Sequence, residues 1–227
     1  MAANNTYREI QDNVLSLISK SDATTRNRIK NWINLGYHDF TLRELWPFRE
    51  VADTFATVAG TQEYTLTTDF TDIDQNNIVS VAIQGDSADK LPYIAFNRLR
   101  RDHPDFDKEG QAVPQYYYLR AGKIGLWPVP NAVYTVAVDY YKVPTELSSD
   151  SDTPIIPAGY REALTQYALS LEHDFNTDPD LAQKAMNRYE QIVTLARGNL
   201  LSQPTDAGMA VVTGPAQDWS GLGQEVR

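Results

Sequence analysis

The side chains best suited to move a proton or hold a metal near neutral pH are three histidines, His38, His103 and His173. They stand in separate segments, and none has a second histidine at metal-ligand spacing, so they read as surface or interface groups rather than ligands or bases. Cysteine is absent, which removes disulfides, thiolate metal sites and thiol nucleophiles together. Gly122-Lys123 lacks both the upstream glycine and the following Ser or Thr of a phosphate-cradling loop. No Gly-x-Ser-x-Gly nucleophile turn occurs. An enzyme built on this chain would have to run on carboxylates alone, and no cofactor is expected.

Asp105-Phe106-Asp107-Lys108-Glu109-Gly110 copies the first half of a calcium loop, with acids at alternate positions and glycine at the sixth. The second half departs from it, since Pro114 falls inside and Tyr116 stands where the twelfth position needs a bidentate Glu. The segment reads as a solvated acidic loop and not as a metal site. Arg98, Arg100 and Arg101 form a basic cluster with Asp102, Asp105 and Asp107 close behind. Three guanidiniums are few for a nucleic-acid patch, and the mixture suits a polar contact between subunits, with a solvated turn as the alternative. Six of the 13 tyrosines, Tyr116, Tyr117, Tyr118, Tyr134, Tyr140 and Tyr141, fall within 26 residues. On a strand Tyr116 and Tyr118 share one face and Tyr117 takes the other. Sheet packing is the ordinary use of such residues, and a carbohydrate or base-stacking platform is the other.

The elements that must position these groups are marked by pattern. Thr6 followed by Glu9 is a capping box, after which Ile10, Val14, Leu17 and Ile18 recur on one helical face. Ser21-Asp22 opens a longer helix with Ile29, Trp32, Ile33, Gly36 and Phe40 in one stripe, which Pro47 is expected to stop. From Glu50 the period falls to about 2. Residues 51–58 and 61–66 flank Ala59-Gly60 in a hairpin signature. Further strands are expected at 77–83, 115–120, 123–127 and 132–143, with a short helical turn at 97–102. Without helices of crossover length between them, these strands make an antiparallel meander or small sandwich. Helical spacing returns with Ala163, Leu164, Tyr167, Ala168 and Leu171. After Asp178-Pro179 it continues with Leu181, Ala185, Tyr189, Ile192, Val193 and Ala196, and Gly198 is expected to end it. Residues 202–227 hold no sustained period but carry Val211, Val212, Trp219, Leu222 and Val226, the composition of an arm that orders on something else.

The expected fold class is therefore α+β. Residues 1–49 and 148–201 supply two helix hairpins of a core bundle of about four helices. Residues 50–147 form an antiparallel β-rich insertion, and 202–227 an extended C-terminal arm. A 25.5 kDa chain of 227 residues should bury roughly 72% of its extended surface as one compact body. Its 20 basic and 30 acidic residues leave a formal net charge of −10. That field argues against a free-standing nucleic-acid binder and against anionic membranes. By segment, residues 1–50 hold 7 basic and 6 acidic groups, whereas 51–147 hold 8 and 13, 148–201 hold 4 and 8, and the tail 1 and 3. No apolar run approaches bilayer length and the start lacks a signal-peptide pattern, so the sequence reads as a soluble protein of the cytoplasm.

A series of short motifs carries a resemblance. It runs from Ile33-Asn34-Leu35-Gly36-Tyr37 through Trp46-Pro47-Phe48-Arg49-Glu50 and Ala59-Gly60-Thr61-Gln62-Glu63-Tyr64 to Gly125-Leu126-Trp127-Pro128-Val129-Pro130. Asp139-Tyr140-Tyr141-Lys142, Ser151-Asp152-Thr153-Pro154 and Tyr160-Arg161-Glu162-Ala163-Leu164 complete it. In this order, over about residues 5 to 201, the chain resembles the head-to-tail adaptor (connector) proteins of tailed bacteriophages. The resemblance implies a structural, non-enzymatic virion protein at the neck, assembled in the host cytoplasm. It implies a ring, usually of twelve copies, under the portal protein, receiving a tail or nozzle protein and continuing the channel through which DNA passes without specific binding. It also implies that the arm carrying Val211, Val212, Trp219, Leu222 and Val226 grips the portal. Two other readings stay open: a carbohydrate- or receptor-binding β module of a virion, which needs an exposed aromatic face, and a carboxylate hydrolase, which needs two acids facing across a pocket.

Overall fold

The structure, a computed structural model, describes residues 6–65, 77–84, 90–106, 108 and 110–201. Helix α1 (Tyr7–Leu17) opens on the capping box: the Thr6 hydroxyl accepts from the Glu9 amide, and the Glu9 carboxylate accepts from the Thr6 amide. Asp22 caps α2 (Ala23–Leu42) through the Thr25 amide at 2.8 Å. Helix α2 ends at Leu42, earlier than Pro47 required. Trp46 folds back to stack between Phe40 and Phe48 and donates its indole N–H to the Phe40 carbonyl at 2.7 Å. Arg49 then donates to the Thr41 and Glu44 carbonyls, groups that a longer helix would have paired itself. Pro47 starts a 3-10 turn, Pro47–Arg49, instead of stopping a helix.

In the second half α4 (Glu162–Phe175) and α5 (Pro179–Leu200) make the other hairpin, with Asp178 capping the Leu181 amide. Gly198 does not end α5. It stays helical, and the Leu201 N–H still bonds to the Arg197 carbonyl at 3.1 Å. Helices α1, α2 and α5 all pack against α4, the common partner of both hairpins. Ile10, Val14, Ile29, Ile33, Phe40, Leu164, Ala168, Tyr189, Val193 and Ala196 fill the core between them, closed by Trp46, Leu147 and Ile156. The α2/α4 approach depends on Gly36, where an added Cβ would stand 2.8 Å from the Tyr167 ring. Leu181, expected in the buried stripe, is exposed, and Leu171 is half-buried.

Among the described residues six strands lie between the helix pairs: β1 (Glu50–Ala56), β2 (Glu63–Tyr64), β3 (Ile78–Gln84), β4 (Tyr116–Arg120), β5 (Lys123–Trp127) and β6 (Thr135–Tyr141), with α3 (Phe96–Asp102) after β3. They form two antiparallel sheets, ordered β1-β6-β3 and β2-β5-β4. Val81, Tyr117, Ile124, Leu126, Val136, Val138 and Tyr140 from both sheets share one buried cluster, so the sandwich alternative holds and the meander does not. The turn at Ala59-Gly60 forms, with Gly60 at φ 81° and the Thr61 N–H on the Val58 carbonyl at 2.9 Å. The hairpin expected there does not: β1 pairs with β6 and β2 with β5, so this turn carries the chain from one sheet to the other. Among the described strands, β4 and β5 make the local hairpin, closed by Ala121 and Gly122 at positive φ of 48° and 70°. Gly125 of β5 sits opposite Tyr118, whose ring occupies the space a side chain would need. Phe96 of α3 and Phe106 then cover Tyr118 on the outer face.

The two clusters meet at Arg49. Its side chain is 2% exposed and donates to Lys142 at the end of β6 as well as to the end of α2.

Candidate interaction surfaces

The basic cluster lies on α3, with Arg98, Arg100 and Arg101 all exposed. Arg98 and Arg101 both turn to Asp102, at 3.5 and 3.0 Å, and the Arg101 hydrogen bond leads in holding that carboxyl below its usual range. Two of the three arginines thus share one acid of their own helix. Asp105, in the acidic loop, is exposed and paired with Lys108 at 3.0 Å; Asp107 and Glu109 lie outside the described residues. Among the described residues no group of three or more acidic or histidine side chains could hold a metal ion. Val211, Val212, Trp219, Leu222 and Val226 also lie outside the described residues.

The three histidines are dispersed. The His38 ring is 3.8 Å from Glu146, His103 lies against Trp127 with ring centroids 4.4 Å apart, and His173 lines a groove beside α5. None of Tyr116, Tyr117, Tyr118, Tyr134, Tyr140 and Tyr141 is exposed, so the tyrosine-rich strands do not offer the aromatic platform a sugar-binding face needs. A cleft of about 350 Å³ beside Trp127 contains Tyr93, Tyr116, Arg98 and a single acid, Asp102. The groove beside α5, about 830 Å³, likewise has one acid, Asp180. Neither brings together the two carboxylates that hydrolysis would require.

The buried charge is structural. Glu172 is fully buried on α4, and Arg28 of α2 grips it with two N–H groups at 2.8 and 2.6 Å. Burial alone would push the Glu172 carboxyl up. Hydrogen bonds from Arg28 and Asn176, with the charges of Arg28 and Lys20, outweigh it and hold the group below the usual carboxylate range. Asp150, in the segment leading to α4, collects Lys30, Gln11 and Arg8, which pull its carboxyl down to about 2. Tyr189 of α5 donates its hydroxyl to Asp39 of α2, and burial raises its pKa. These ties bind first-half helices to second-half elements and fix the outer faces of the bundle.

Residues 5–215 match the family profile described as SU10 adaptor protein. The chain belongs to that family. No curated protein is similar enough to the chain to count as a match. As a phage adaptor it has a structural role, and that places the weight of interpretation on its surfaces. Among the described residues no helix of this adaptor is long and apolar enough to cross a membrane. Sequence reasoning singled out α3 and the tail of the adaptor but passed over α2 and α5 as surfaces. The available signal was the chemistry opposite the buried stripe: Leu35 and Leu42 on α2, and Leu195 on α5, are half or more exposed at 50%, 50% and 58%.

Proposed function

We propose that this adaptor forms a ring of about twelve copies beneath the portal vertex, joins capsid to tail and continues the DNA channel at the virion neck. The observation that carries the reading is the family match over residues 5–215, which spans the helix pairs and the strands between them. The composition supports it. A conduit should hold DNA weakly, because every phosphate neutralised by Lys or Arg would retard passage. With −10 per chain, about twelve copies give a formal charge near −120, a field that repels duplex DNA from the wall even across a Debye length of about 8 Å.

In this reading the arm carrying Val211, Val212, Trp219, Leu222 and Val226 reaches the portal. Arg98, Arg100 and Arg101 make a polar contact between copies at the level of the sandwich, and a tail or nozzle protein docks below. Assembly takes place in the host cytoplasm. The test is a mass measurement at low salt with and without a portal ring. Full-length chain should join the portal as many copies, and a chain that never joins it overturns the reading. Truncation after Leu201 should leave a folded monomer that cannot join, and a truncated chain that still binds refutes the role of the arm.

A further inference from the structure

The charges of α2 are turned to its flanks and paired there. Arg26 meets Asp12 at 2.7 Å, Arg28 meets Glu172 at 2.6 Å, Lys30 meets Asp150 at 3.1 Å, and Asp39 meets Arg43 at 2.8 Å. The exposed side of α2 is left with Thr24, Asn27, Asn31, Leu35 and Leu42, and His38 is half-buried beside them. A solvated helix face ordinarily carries charge; from Asn31 to Leu42, about three turns, this one carries none, and Arg28, one heptad before Leu35, bends off the stripe to Glu172. Leu35 and Leu42 stand one heptad apart, about 10.5 Å along the axis, and form a ridge. At its edge is Glu146, 74% exposed and 3.8 Å from His38.

Helix α5 presents a different face. Leu181, Lys184, Arg188, Gln191 and Leu195 follow one another at spacings of three or four residues and are all exposed. The first four of them border the 830 Å³ groove together with Leu17 and His173. Neither Lys184 nor Arg188 is in an ion pair among the described residues; Arg188 reaches only Gln191, at 3.4 Å. This face is not the one turned to α2: Glu190 and Arg197, which pair with Arg43 and Glu44 at the α2 end, lie on the other flank of α5.

One chain therefore carries an uncharged ridge with an acid at its margin and, elsewhere on the bundle, a groove edged by leucines and by Lys184 and Arg188, which have no ion pair among the described residues. Two unlike, complementary faces are what a ring of identical subunits needs, since a closed cycle is built from head-to-tail contacts and not from self-complementary ones. We infer that the outer face of α2 in one copy seats in the groove along α5 of the next, with Leu35 and Leu42 against Leu17, Leu181 and Leu195, and Glu146 facing Lys184 and Arg188. The inference rests on the adaptor reading above and supplies the contact between neighbouring subunits in the helical tier. The committed occupant is a second copy of this chain; a tail protein on the same ridge is an outcome the test can reveal.

The test counts adaptor copies on the portal ring by mass at a fixed concentration of full-length chain. The pair Leu35→Glu with Leu42→Glu should lower the copies bound at least about tenfold, because two carboxylates would have to be buried at the contact. The uncharged pair Leu35→Gln with Leu42→Gln should lose copies as well, which separates lost apolar contact from repulsion. Arg188→Glu alone should cost about fivefold, and combining it with Glu146→Arg should restore assembly to within about twofold of the unaltered chain. All these positions are exposed, so helical circular dichroism and the urea midpoint should not move. Leucine variants that assemble like the unaltered chain overturn the inference, as does a charge exchange no better than Arg188→Glu alone. Full rings that merely fail to accept the tail protein also overturn it, by assigning the ridge to that partner. An unaltered chain that never joins the portal defeats the adaptor reading first, and the inference with it.

Discussion

The helical bundle and the β sandwich solve the same problem, holding together segments distant in the chain, by different means. The buried polar side chains Gln11, Thr25, Thr41, Thr165, Ser170 and Glu172 all belong to the bundle, Arg49 sits at its edge, and Thr57 is the one such residue on the sandwich side among those described. The bundle crosses its own halves with directional ties: Arg28 to Glu172, Tyr189 to Asp39, Arg8 and Lys30 to Asp150. The sandwich uses rings: Phe55 on Tyr64, Tyr93 on Tyr117, Phe96 and Phe106 on Tyr118. A buried ion pair such as Arg28–Glu172 adds little net stability over apolar packing but penalises misplacement heavily, so it specifies the bundle more than it stabilises it, whereas the Asp150 pairs are exposed to solvent. Ring packing tolerates small adjustments and resists added volume.

That contrast can be broken at three points. The largest effect is expected at Glu172. Glu172→Gln leaves the Arg28 guanidinium without its counter-ion in a mostly buried site and should cost about 3 to 5 kcal/mol in urea unfolding followed by helical circular dichroism. A loss below about 1 kcal/mol would place the pair with ordinary surface bridges and erase the distinction. In the sandwich the equivalent stress is volume. Gly125→Ala drives a methyl into the Tyr118 ring, which Phe96 and Phe106 hold from behind, and should cost about 3 kcal/mol, read by tyrosine fluorescence or near-ultraviolet dichroism. An unchanged midpoint there would mean that the ring stack yields freely.

Acid gives the smallest and most selective effect. Asp150 and Glu172 both hold folded-state pKa values below their unfolded ones, so the unfolded chain binds more protons as pH falls. Their contribution is complete above about pH 5 and is lost as pH falls through the folded values, which for Asp150 is about 2. The melting temperature of the helical signal should fall through this window, and Asp150→Asn should flatten part of the fall. An identical slope in that variant would detach Asp150 from the acid response.

Much of the local structure was legible in the sequence because its causes are local. Thr6, Asp22 and Asp178 marked helix starts through hydrogen bonds to amides three residues on, and the strand segments announced themselves by alternation. What escaped depends on partners far along the chain. The turn at Ala59-Gly60 has the chemistry of a hairpin, yet which strand pairs with β1 is decided by apolar residues some 80 positions away, such as Val136 opposite Phe55. The early end of α2 follows from Arg49, whose role is visible only once Lys142 is beside it. Glu172 reads as one more polar residue near a helix end, and its grip by Arg28 spans 144 positions. The surfaces proposed for contact were harder still. An apolar stripe reports which face is buried within one chain, and Leu35 and Leu42 lie outside that stripe.

Arg49 also bears on how force would pass through the molecule. The chain leaves the bundle at Glu50 and returns at Lys142, two points joined directly by the Lys142 N–H on the Arg49 carbonyl at 2.9 Å. A pull on the sandwich therefore enters the bundle through two adjacent strands at once, and the guanidinium, fastened to both, distributes it between the end of α2 and the end of β6. Tension on one strand is shared by the other before either helix pair is asked to shift.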